Sequence, residues 1–487
     1  MRRLVVLFVA ATVIAGSAVA RANAAPATCT VRSAVERCEV WADASGPPVD
    51  GQNASVAIGQ TPDGSRLVTA GYRPNSLTNP LPTHDYMVGT TDTATGRHGW
   101  TAFYDGPSGG EDEATALAMS PDGTKVFVTG FSEHAPNNDD FATVAYDVAT
   151  GTQLWVARYD GPGDSLDYPT AIAASQDGTL AFVTGYSQLG IDPATGIQVL
   201  GATTIAYDTA TGAQRWLQTY QGPAHLWDIP TGLAAAGGRV YITARSNGAS
   251  PTSDNDTDDA TVAYDQATGT QVWASRYDSG TRDYPHALTA TPDGSRVYVT
   301  GERDWNGFGG SDVVSLGYDG ATGAMAWSAV YATPGGGNEM GLSVAVSPAG
   351  DKVFVTGFGS DDITPVDRSA VTIAYSSAGQ QLWLQRHTNP GGEAMAKATV
   401  SPDGQRLYVT GLAVGQSFGG GGGVFGIHYV DAQAPVTLAY DPASGALSWS
   451  AHFTDQGQGR DAVVSPDSKH VYVAVGGSDA VTVAYDG

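Results

Sequence analysis

Cysteine is almost missing from this chain of 487 residues, which contains only Cys29 and Cys38. Two thiols cannot form a disulfide-rich scaffold, and they fall short of the four ligands of a structural zinc site. Both follow an N-terminal export signal, described below, that leads to an oxidising compartment. The sequence therefore predicts a Cys29–Cys38 disulfide that staples the N-terminal segment.

Positive charge is also scarce, since 24 Lys and Arg stand against 49 Asp and Glu and the formal net charge is −25. A surface of this sign repels phosphate, so nucleic acid and anionic lipid are poor partners. Basic proteins, neutral glycans and cations remain as partner classes. The plainer alternative is that the charge only keeps an exported protein soluble.

Long apolar runs are absent beyond the N-terminus. The run Leu4–Ala20 follows the basic start MRR and precedes Ala22-Asn23-Ala24, the small-x-small pattern of a signal-peptidase site. Its 17 residues are fewer than the roughly 20 of a comfortable membrane span, although an uncleaved anchor stays an alternative. We predict a signal peptide at 1–24 and a secreted, non-inserted protein. Loss of the signal's three arginines brings the formal charge to −28.

Helical periodicity is lacking in the remainder, and a repeat takes its place. The turn phrase TPDG or SPDG, with its variants, and the strand phrase AYD each occur eight times. Eight tryptophans follow one another at intervals of 54 to 66 residues: Trp41, Trp100, Trp155, Trp216, Trp273, Trp327, Trp383 and Trp449.

One repeat shows the composition of all of them. Four short segments, rich in β-branched residues, alternate with Pro-Asp-Gly and Ala-Thr-Gly turns: Ala114–Ser120, Lys125–Gly130, Ala142–Asp147 and Gln153–Asp160. Four-stranded antiparallel sheets repeated around an axis form a β-propeller. We predict an all-β fold, a single eight-bladed propeller over 25–487.

The last repeat, VAYDG at Val483–Gly487, stops before its tryptophan strand. The N-terminal segment CEVWADASGPP, at 38–48, matches the tryptophan strand QLWVARYDGPG of a complete repeat. The sequence therefore predicts that 38–48 supplies the missing strand of the last blade and closes the ring, as a monomer, with the disulfide beside the closure.

Two resemblances support this interpretation. The phrase ATVAYDVATGTQLWVARYDGPG, from Ala142 to Gly163 and continuing to Gly185, resembles the SBBP-type β-propeller repeat of secreted bacterial proteins over nearly the whole mature chain. The pattern AYDxATGxxxW at Ala145–Trp155 is similar to the tryptophan-docking motif of eight-bladed quinoprotein (PQQ) dehydrogenases. The second resemblance implies that each tryptophan packs against the adjacent blade. Both motifs indicate fold far more than chemistry.

Functional residues are predicted on one face of the disc. The PDG and ATG turns fall on a common face and hardly vary, whereas the other loops fall on the opposite face and differ from blade to blade. Variable loops on a rigid scaffold are the usual binding elements.

One polar position on that variable face repeats. An acid or amide starts the innermost strand, eleven residues before the turn glycine in most blades: Asn53, Asp112, Asp167, Asp228, Asp283, Glu339 and Glu393. We predict a carboxylate ring at the mouth of the central channel that can hold a ligand or a cation. The alternative is that each acid accepts a backbone N–H bond from its own turn.

The loop SDNDTDD places Asp254, Asp256 and Asp258 at alternate positions, with Asp265 eleven residues beyond the first. Such spacing wraps oxygen ligands around Ca²⁺, although Asp259 stands where the calcium-loop pattern has glycine. A solvated acidic loop is the alternative interpretation.

The remaining candidates are side chains of single blades. His225 and His286 are placed in equivalent loops of neighbouring blades, near Asp228 and Asp283, as a metal or acid–base pair. Trp227 and Trp305 lie outside the repeat and could stack on a flat ligand or pack within their loops. The longest loop, Leu412–Pro435, contains the run Gly419–Gly423 and is interpreted as a lid or an unstructured segment.

Three functions stay open. The first is a secreted, non-catalytic binding or scaffold module whose partner is a protein, glycan or cation. The second is a PQQ-dependent dehydrogenase, which is disfavoured because its adjacent-cysteine disulfide cannot form and its catalytic residues cannot be assigned. The third is an acid–base lyase or hydrolase that uses the channel carboxylates. The pattern G-x-S-x-G occurs at Gly106–Gly110 and Gly415–Gly419, but no helical pattern follows either copy, so neither is interpreted as a nucleophile elbow. No H-E-x-x-H is present and no cysteine nucleophile is assigned, and calcium is the one cofactor that the sequence suggests.

Overall fold

A computed structural model describes residues 39–44, 54–75, 83–136, 138–163, 165–193, 195–248, 257–305, 310–333, 336–360, 368–388, 392–414, 433–453, 457–477 and 481–487. Every regular element in these ranges is a β-strand, and the strands form eight four-stranded antiparallel sheets. The predicted all-β, eight-bladed propeller is confirmed. No helix of the described ranges has the length and apolar character needed to cross a membrane.

The first four blades are each a continuous run of four strands, innermost first. Blade 1 is β2 (Ala54–Gln60), β3 (Arg66–Pro74), β4 (His84–Asp92) and β5 (His98–Tyr104). Blade 2 is β6 (Asp112–Met119), β7 (Lys125–Ala135), β8 (Asn138–Asp147) and β9 (Gln153–Tyr159). Blade 3 is β10 (Asp167–Ala174), β11 (Leu180–Ile191), β12 (Gln198–Asp208) and β13 (Gln214–Tyr220). Blade 4 is β14 (Asp228–Ala236), β15 (Arg239–Asn247), β16 (Thr257–Asp265) and β17 (Gln271–Tyr277).

The next three blades repeat the arrangement, and the eighth differs. Blade 5 is β18 (Arg282–Ala290), β19 (Arg296–Trp305), β20 (Gly310–Asp319) and β21 (Met325–Tyr331). Blade 6 is β22 (Glu339–Val346), β23 (Lys352–Ser360), β24 (Arg368–Ser376) and β25 (Gln381–His387). Blade 7 is β26 (Glu393–Val400), β27 (Leu407–Val414), β28 (Gln433–Tyr440) and β29 (Leu447–His452). Blade 8 is β30 (Gly457–Val464), β31 (His470–Gly477), β32 (Val481–Asp486) and β1 (Glu39–Ala44).

The ring closes by strand exchange, as the sequence predicts. β1 pairs antiparallel with β32, with Trp41 opposite Ala484 and Ala44 opposite Val481. The first strand of each blade contacts the first strand of the next, and β30 contacts β2 across the seam. The two ends of the described propeller are therefore joined in one sheet.

The core lies between blades. One cluster, for example, packs Val68 and Tyr86 of blade 1 against Ala114, Val128 and Tyr146 of blade 2. Successive strand residues point to opposite faces of a blade. Because consecutive residues such as Val126, Phe127 and Val128 are all buried and apolar, both faces of the sheet pack against neighbouring blades.

The repeated tryptophans fasten this packing. The indole Nε1 of Trp155, in blade 2, donates to the carbonyl oxygen of Thr209, in blade 3, at 3.1 Å. The same bond joins Trp100 to Val148, Trp216 to Gln266, Trp273 to Gly320, Trp327 to Ser377 and Trp383 to Pro442. Each acceptor belongs to the following blade, one or two residues after its third strand, so each of these six indoles joins two blades.

Candidate functional site

The PDG and ATG turns form one face of the disc, hereafter the turn face. Val148 N, in the ATG turn of blade 2, donates to Thr124 O in the PDG turn of the same blade at 2.9 Å. Within the PDG turn, Asp122 Oδ1 accepts bonds from the Ser120 hydroxyl at 2.6 Å and from Thr124 N at 3.0 Å. Hydrogen bonds from the neighbouring hydroxyl lower the pKa of this carboxyl. This carboxylate therefore stabilises the turn through bonds within it.

The opposite face, hereafter the loop face, contains the repeated acids. Each is the first residue of an innermost strand or, for Asp283, the second, and each is buried, with exposed fractions of 0 to 2%: Asp112, Asp167, Asp228, Asp283, Glu339 and Glu393. The ring of carboxylates that the sequence predicts at the channel mouth stays a prediction, and the structure adds that these side chains are buried. They point into the protein because the loop from the preceding blade covers them.

These acids hold that covering loop. Asp112 Oδ2 accepts a bond from Gly106 N at 2.9 Å, and Asp167 and Asp228 accept the equivalent bonds from Gly161 N at 2.6 Å and Gly222 N at 2.8 Å. In blade 5, Asp283 accepts the bond from Ser279 N at 2.8 Å. The glutamates use side-chain donors instead, which are Thr333 for Glu339 at 2.5 Å and His387 for Glu393 at 2.6 Å. The alternative interpretation was that each acid accepts a backbone N–H bond from a nearby turn. The four aspartates make this bond.

The same carboxyls retain unused acceptors. One oxygen of each accepts no hydrogen bond among the described residues: Asp112 Oδ1, Asp167 Oδ1, Asp228 Oδ1, Asp283 Oδ1, Glu339 Oε2 and Glu393 Oε1. Burial raises the pKa of Asp112, Asp167 and Asp283 to about 6, because a desolvated carboxylate is less stable than the neutral acid. Whether any of the six binds a ligand stays a prediction.

A second set of acids lies on third strands of the blades, seven residues before the strand-end aspartate: Asp85, Asp140, Asp258 and Asp312. Of these, only Asp258 was singled out from the sequence, and for a calcium loop. Arg158 Nη2 contacts Asp140 at 2.9 Å, Arg276 Nη2 contacts Asp258 at 2.5 Å, and Arg303 Nη2 contacts Asp312 at 2.9 Å. The spacing from the AYD phrase repeats in the sequence and could have revealed these acids.

The structure places Asp258 in a strand, and not in the loop for which a calcium site is predicted. It lies in β16, where it pairs with Ser246 of β15, and its carboxylate contacts Arg276. Asp265 ends the same strand seven residues later, a distance of about 23 Å in extended chain, and its Oδ1 caps the ATG turn through Thr268 N at 2.9 Å. Asp258 and Asp265 therefore cannot bind one ion, and Asp254 and Asp256 lie outside the described residues.

The two predicted histidines do not occupy equivalent places. His225 is exposed, has a φ of 52°, and lies in the loop before β14. His286 lies inside β18 at the residue where the register with β19 shifts, and its Nε2 is 3.5 Å from Glu302 Oε1. The prediction of equivalent loops is wrong because His225 precedes its strand's acid by three residues and His286 follows its own by three.

The two extra tryptophans also differ. Trp227 donates through Nε1 to Gln198 O at 2.8 Å, and Asn247 Oδ1 accepts a bond from its backbone N at 2.9 Å. Its half-buried ring is therefore tied to blade 3 and packs in its loop. Trp305 ends β19, and its side chain lies outside the described residues, as do Asn53, Cys29, Cys38 and Gly419–Gly423.

Blades 1 to 3 share an aromatic and acidic cluster that sequence reasoning missed, hereafter the loop-face patch, in which Phe131 is buried and the other members are half-buried. Its members lie at the loop-face ends of the first, second and third strands: Tyr72, His84, Glu111, Glu113, Phe131, Tyr168 and Tyr186. The ring of Tyr168 stacks on Phe131, with centroids 4.7 Å apart, and on Tyr186, 5.8 Å apart. No motif links these residues, because they are contributed by three blades.

The polar part of the patch is centred on His84. Its Nδ1 is bonded to Glu111 Oε1 and lies 3.3 Å from Glu113 Oε1, and its ring meets Tyr72 edge-on at 5.0 Å. Burial raises the pKa of Glu113 to about 7. Burial and the charge of Glu113 raise the pKa values of Tyr72 and Tyr168.

The family of the chain follows from its repeats. A model of the PQQ_2 family, described as "Outer membrane protein assembly factor BamB", matches residues 140–410, more than half of the sequence. The chain belongs to this family of β-propellers. No curated protein matches the sequence.

Solved structures repeat the fold at low identity. A structure titled "Structure of Dos1 propeller" is 13% identical, with 93% of this chain and 96% of that chain covered and a TM-score of 0.55. The C-terminal WD40 domain of Sif2 is 13% identical, with 91% and 98% covered and a TM-score of 0.54. A europium-containing methanol dehydrogenase is 12% identical, with 92% and 93% covered and a TM-score of 0.50. Identities this low show a common propeller architecture and nothing about chemistry.

The described residues do not fit pyrroloquinoline quinone. This cofactor carries three carboxylates, so its site requires an excess of cationic donors. The loop-face ends of the inner strands instead present buried acids with unused oxygens, and Arg158 and Arg276 beside them are bonded to Asp140 and Asp258. No reaction step through this quinone is derived.

Proposed function

We propose that this protein is an exported, non-catalytic propeller that binds a protein partner through the loop-face patch. The observation that carries the proposal is the patch itself, in which three stacked rings adjoin His84, Glu111 and Glu113. Aromatic side chains give contact area at low entropic cost, and they are enriched at protein interfaces.

Charge selects the kind of partner. The whole chain carries −25, and the patch contributes two carboxylates with side-chain exposures of 33% and 24%. A partner surface with Lys or Arg beside apolar side chains is complementary to such a patch. The family description, an outer membrane protein assembly factor, also supports a protein as the partner.

The acid–base alternative finds less support. A general acid or base must come within hydrogen-bond reach of its substrate. The six repeated acids have exposed fractions of 0 to 2%, so a substrate cannot reach them without removing the covering loops.

Site-specific photocrosslinking in the producing cell tests the proposal. A photoreactive phenylalanine analogue at His134, which is exposed on the loop face, is expected to give a discrete protein adduct. The same group at Gln176, exposed on the turn face, is the matched control and is expected to give none.

A second comparison ties the adduct to the patch. Combining the His134 probe with Tyr168→Ser is expected to reduce the adduct several-fold, because the central ring of the stack is lost. Crosslinks that arise from Gln176 alone, or that are indifferent to Tyr168→Ser, would contradict the proposed surface. Loss of the adduct on digestion of glycans would favour a glycan partner instead.

A further inference from the structure

Three acids meet at the junction of blades 1 and 2, on the loop face. Asp85 lies in β4, Asp105 directly follows β5, and Asp112 starts β6. One carboxylate oxygen from each lies within 4.8 Å of the others. Three negative charges are thereby gathered where two sheets and a covering loop converge.

Two of these carboxylates are buried and incompletely bonded. Asp85 is 6% exposed and Asp112 is 0% exposed, and Oδ1 of each accepts no hydrogen bond among the described residues. Leaving anionic oxygens unpaired inside a protein is costly unless a cation or donor compensates them.

Other junctions contain an internal cation at this point. Among the four described third-strand acids, Asp140, Asp258 and Asp312 are each bonded to an arginine. The arginines of Asp140 and Asp258 stand three residues after the blade tryptophan. In blade 1 that position is Phe103.

The arginine nearest to Asp85 is directed elsewhere. Arg73 is the backbone partner of Asp85 across the β3–β4 ladder, but its guanidinium lies over the Phe103 ring, 3.6 Å from the centroid. Among the described residues, therefore, Asp140, Asp258 and Asp312 are bonded to a guanidinium and Asp85 is not.

We propose that a calcium ion takes the place of this guanidinium and is bound by Asp85, Asp105 and Asp112. Hard divalent cations prefer carboxylate oxygens, and calcium accepts irregular shells completed by water. Asp105 is exposed, which gives the ion and its waters a path from solvent. This site is separate from the proposed partner binding and adds a metal to the protein.

Calcium titration of the chelator-treated, full-length protein tests the proposal. Equilibrium dialysis with radioactive calcium is expected to give one ion per chain, and the melting temperature is expected to rise with calcium concentration, since a ligand of the native state stabilises it. The absence of both effects would overturn the proposal. A stoichiometry of three would overturn the argument from the missing arginine.

Asp105→Asn provides the critical variant, because an exposed side chain can be changed without threatening the fold. It is expected to lose the bound calcium and the calcium-dependent shift while it keeps the melting temperature of the chelated parent. Asp160→Asn, the exposed acid at the same place in blade 2, is the matched control and is expected to keep both. Equal behaviour of the two variants would refute the assignment to Asp85, Asp105 and Asp112.

Phe103→Arg supplies the guanidinium that blade 1 lacks. It is expected to abolish calcium binding and to raise the melting temperature in chelator. Retention of one tightly bound calcium in this variant would count against the proposal. Photocrosslinking from His134 reports on the partner independently, so failure of either proposal is distinguishable from failure of the other.

Discussion

Aspartate has two opposite roles in this protein, and burial separates them. In the turns, hydroxyl and backbone donors lower the pKa of Asp63 and Asp467 to about 2. At the start of the inner strands, burial raises the pKa of Asp167 and Asp283 to about 6. The turn carboxylates therefore stabilise the fold above about pH 4 and lose this effect as the pH falls towards about 2. The buried carboxyls favour folding below about pH 4, and this contribution is lost as the pH rises through about 6.

Asp167→Asn tests the second role. The amide oxygen can still accept the bond from Gly161 N, while the charge that burial disfavours is removed. We expect the variant to be more stable than the parent by about 1–3 kcal/mol at pH 7.5, with the difference shrinking towards pH 4, as measured by urea unfolding at both pH values. Asp122→Asn in a turn is the control and should be destabilising at pH 7.5. A destabilised Asp167→Asn at pH 7.5 would show that its negative charge is required.

The blade is held to its neighbour by a repeated pairing of one indole with one turn. Gly212, in the ATG turn of blade 3, has a φ of 72°, and a Cβ at this residue would lie 2.7 Å from Cδ2 of Trp155. The indole can therefore lie flat on the turn only where glycine is present. At the same contact, Trp155 Nε1 bonds Thr209 O.

Truncation of this indole measures the contact between blades. Trp155→Ala is expected to cost about 3–5 kcal/mol of unfolding free energy, since it empties a buried site. Trp155→Phe keeps most of the ring and loses the hydrogen bond, so a smaller cost of about 1–2 kcal/mol is expected. Chemical unfolding followed by circular dichroism gives both values. Equal costs for the two variants would assign the stabilisation to the hydrogen bond alone.

Sequence reasoning succeeded for elements that the chain repeats and failed for contacts that it makes once. The turn phrases and tryptophans identify strand order, blade number and the two faces, because each blade solves the same packing problem. His84, Glu113 and Tyr168 come from three blades and follow no spacing, so their proximity is visible only after folding. The acidic run Ser253–Asp259 predicts a loop, but the strand β16 already begins at Thr257, so Asp258 belongs to the strand. Likewise, the covering loops bury the repeated acids, and a periodic pattern cannot report that.

At the scale of the molecule, the seam is the element on which the ring depends. The other seven blades are each formed by consecutive strands, whereas blade 8 combines β30–β32 with β1. The five paired positions between β1 and β32 run from Glu39 to Ala44 and from Val481 to Tyr485. Without β1, the edge of β32 would be left unpaired, and exposed edges promote aggregation.

Removal of the chain through Ala44 tests this dependence. The shortened protein is expected to melt at a lower temperature than the parent and to aggregate more readily, measured by calorimetry and light scattering. A synthetic peptide that contains Glu39–Ala44 is expected to restore part of the melting temperature, because it can pair with β32. A scrambled peptide of the same composition is the control. An unchanged melting temperature on removal would mean that the seam contributes little.

The pairing of β1 with β32 also determines when the ring can close during synthesis. β1 is synthesised before every other strand of the propeller, and its partner β32 is synthesised last. During synthesis, this strand has no partner until about 440 further residues have been added. Among the strands of the propeller, β1 is therefore available to chaperones for the longest time. A chain that ends before Val481 lacks the partner strand β32 and cannot close the ring.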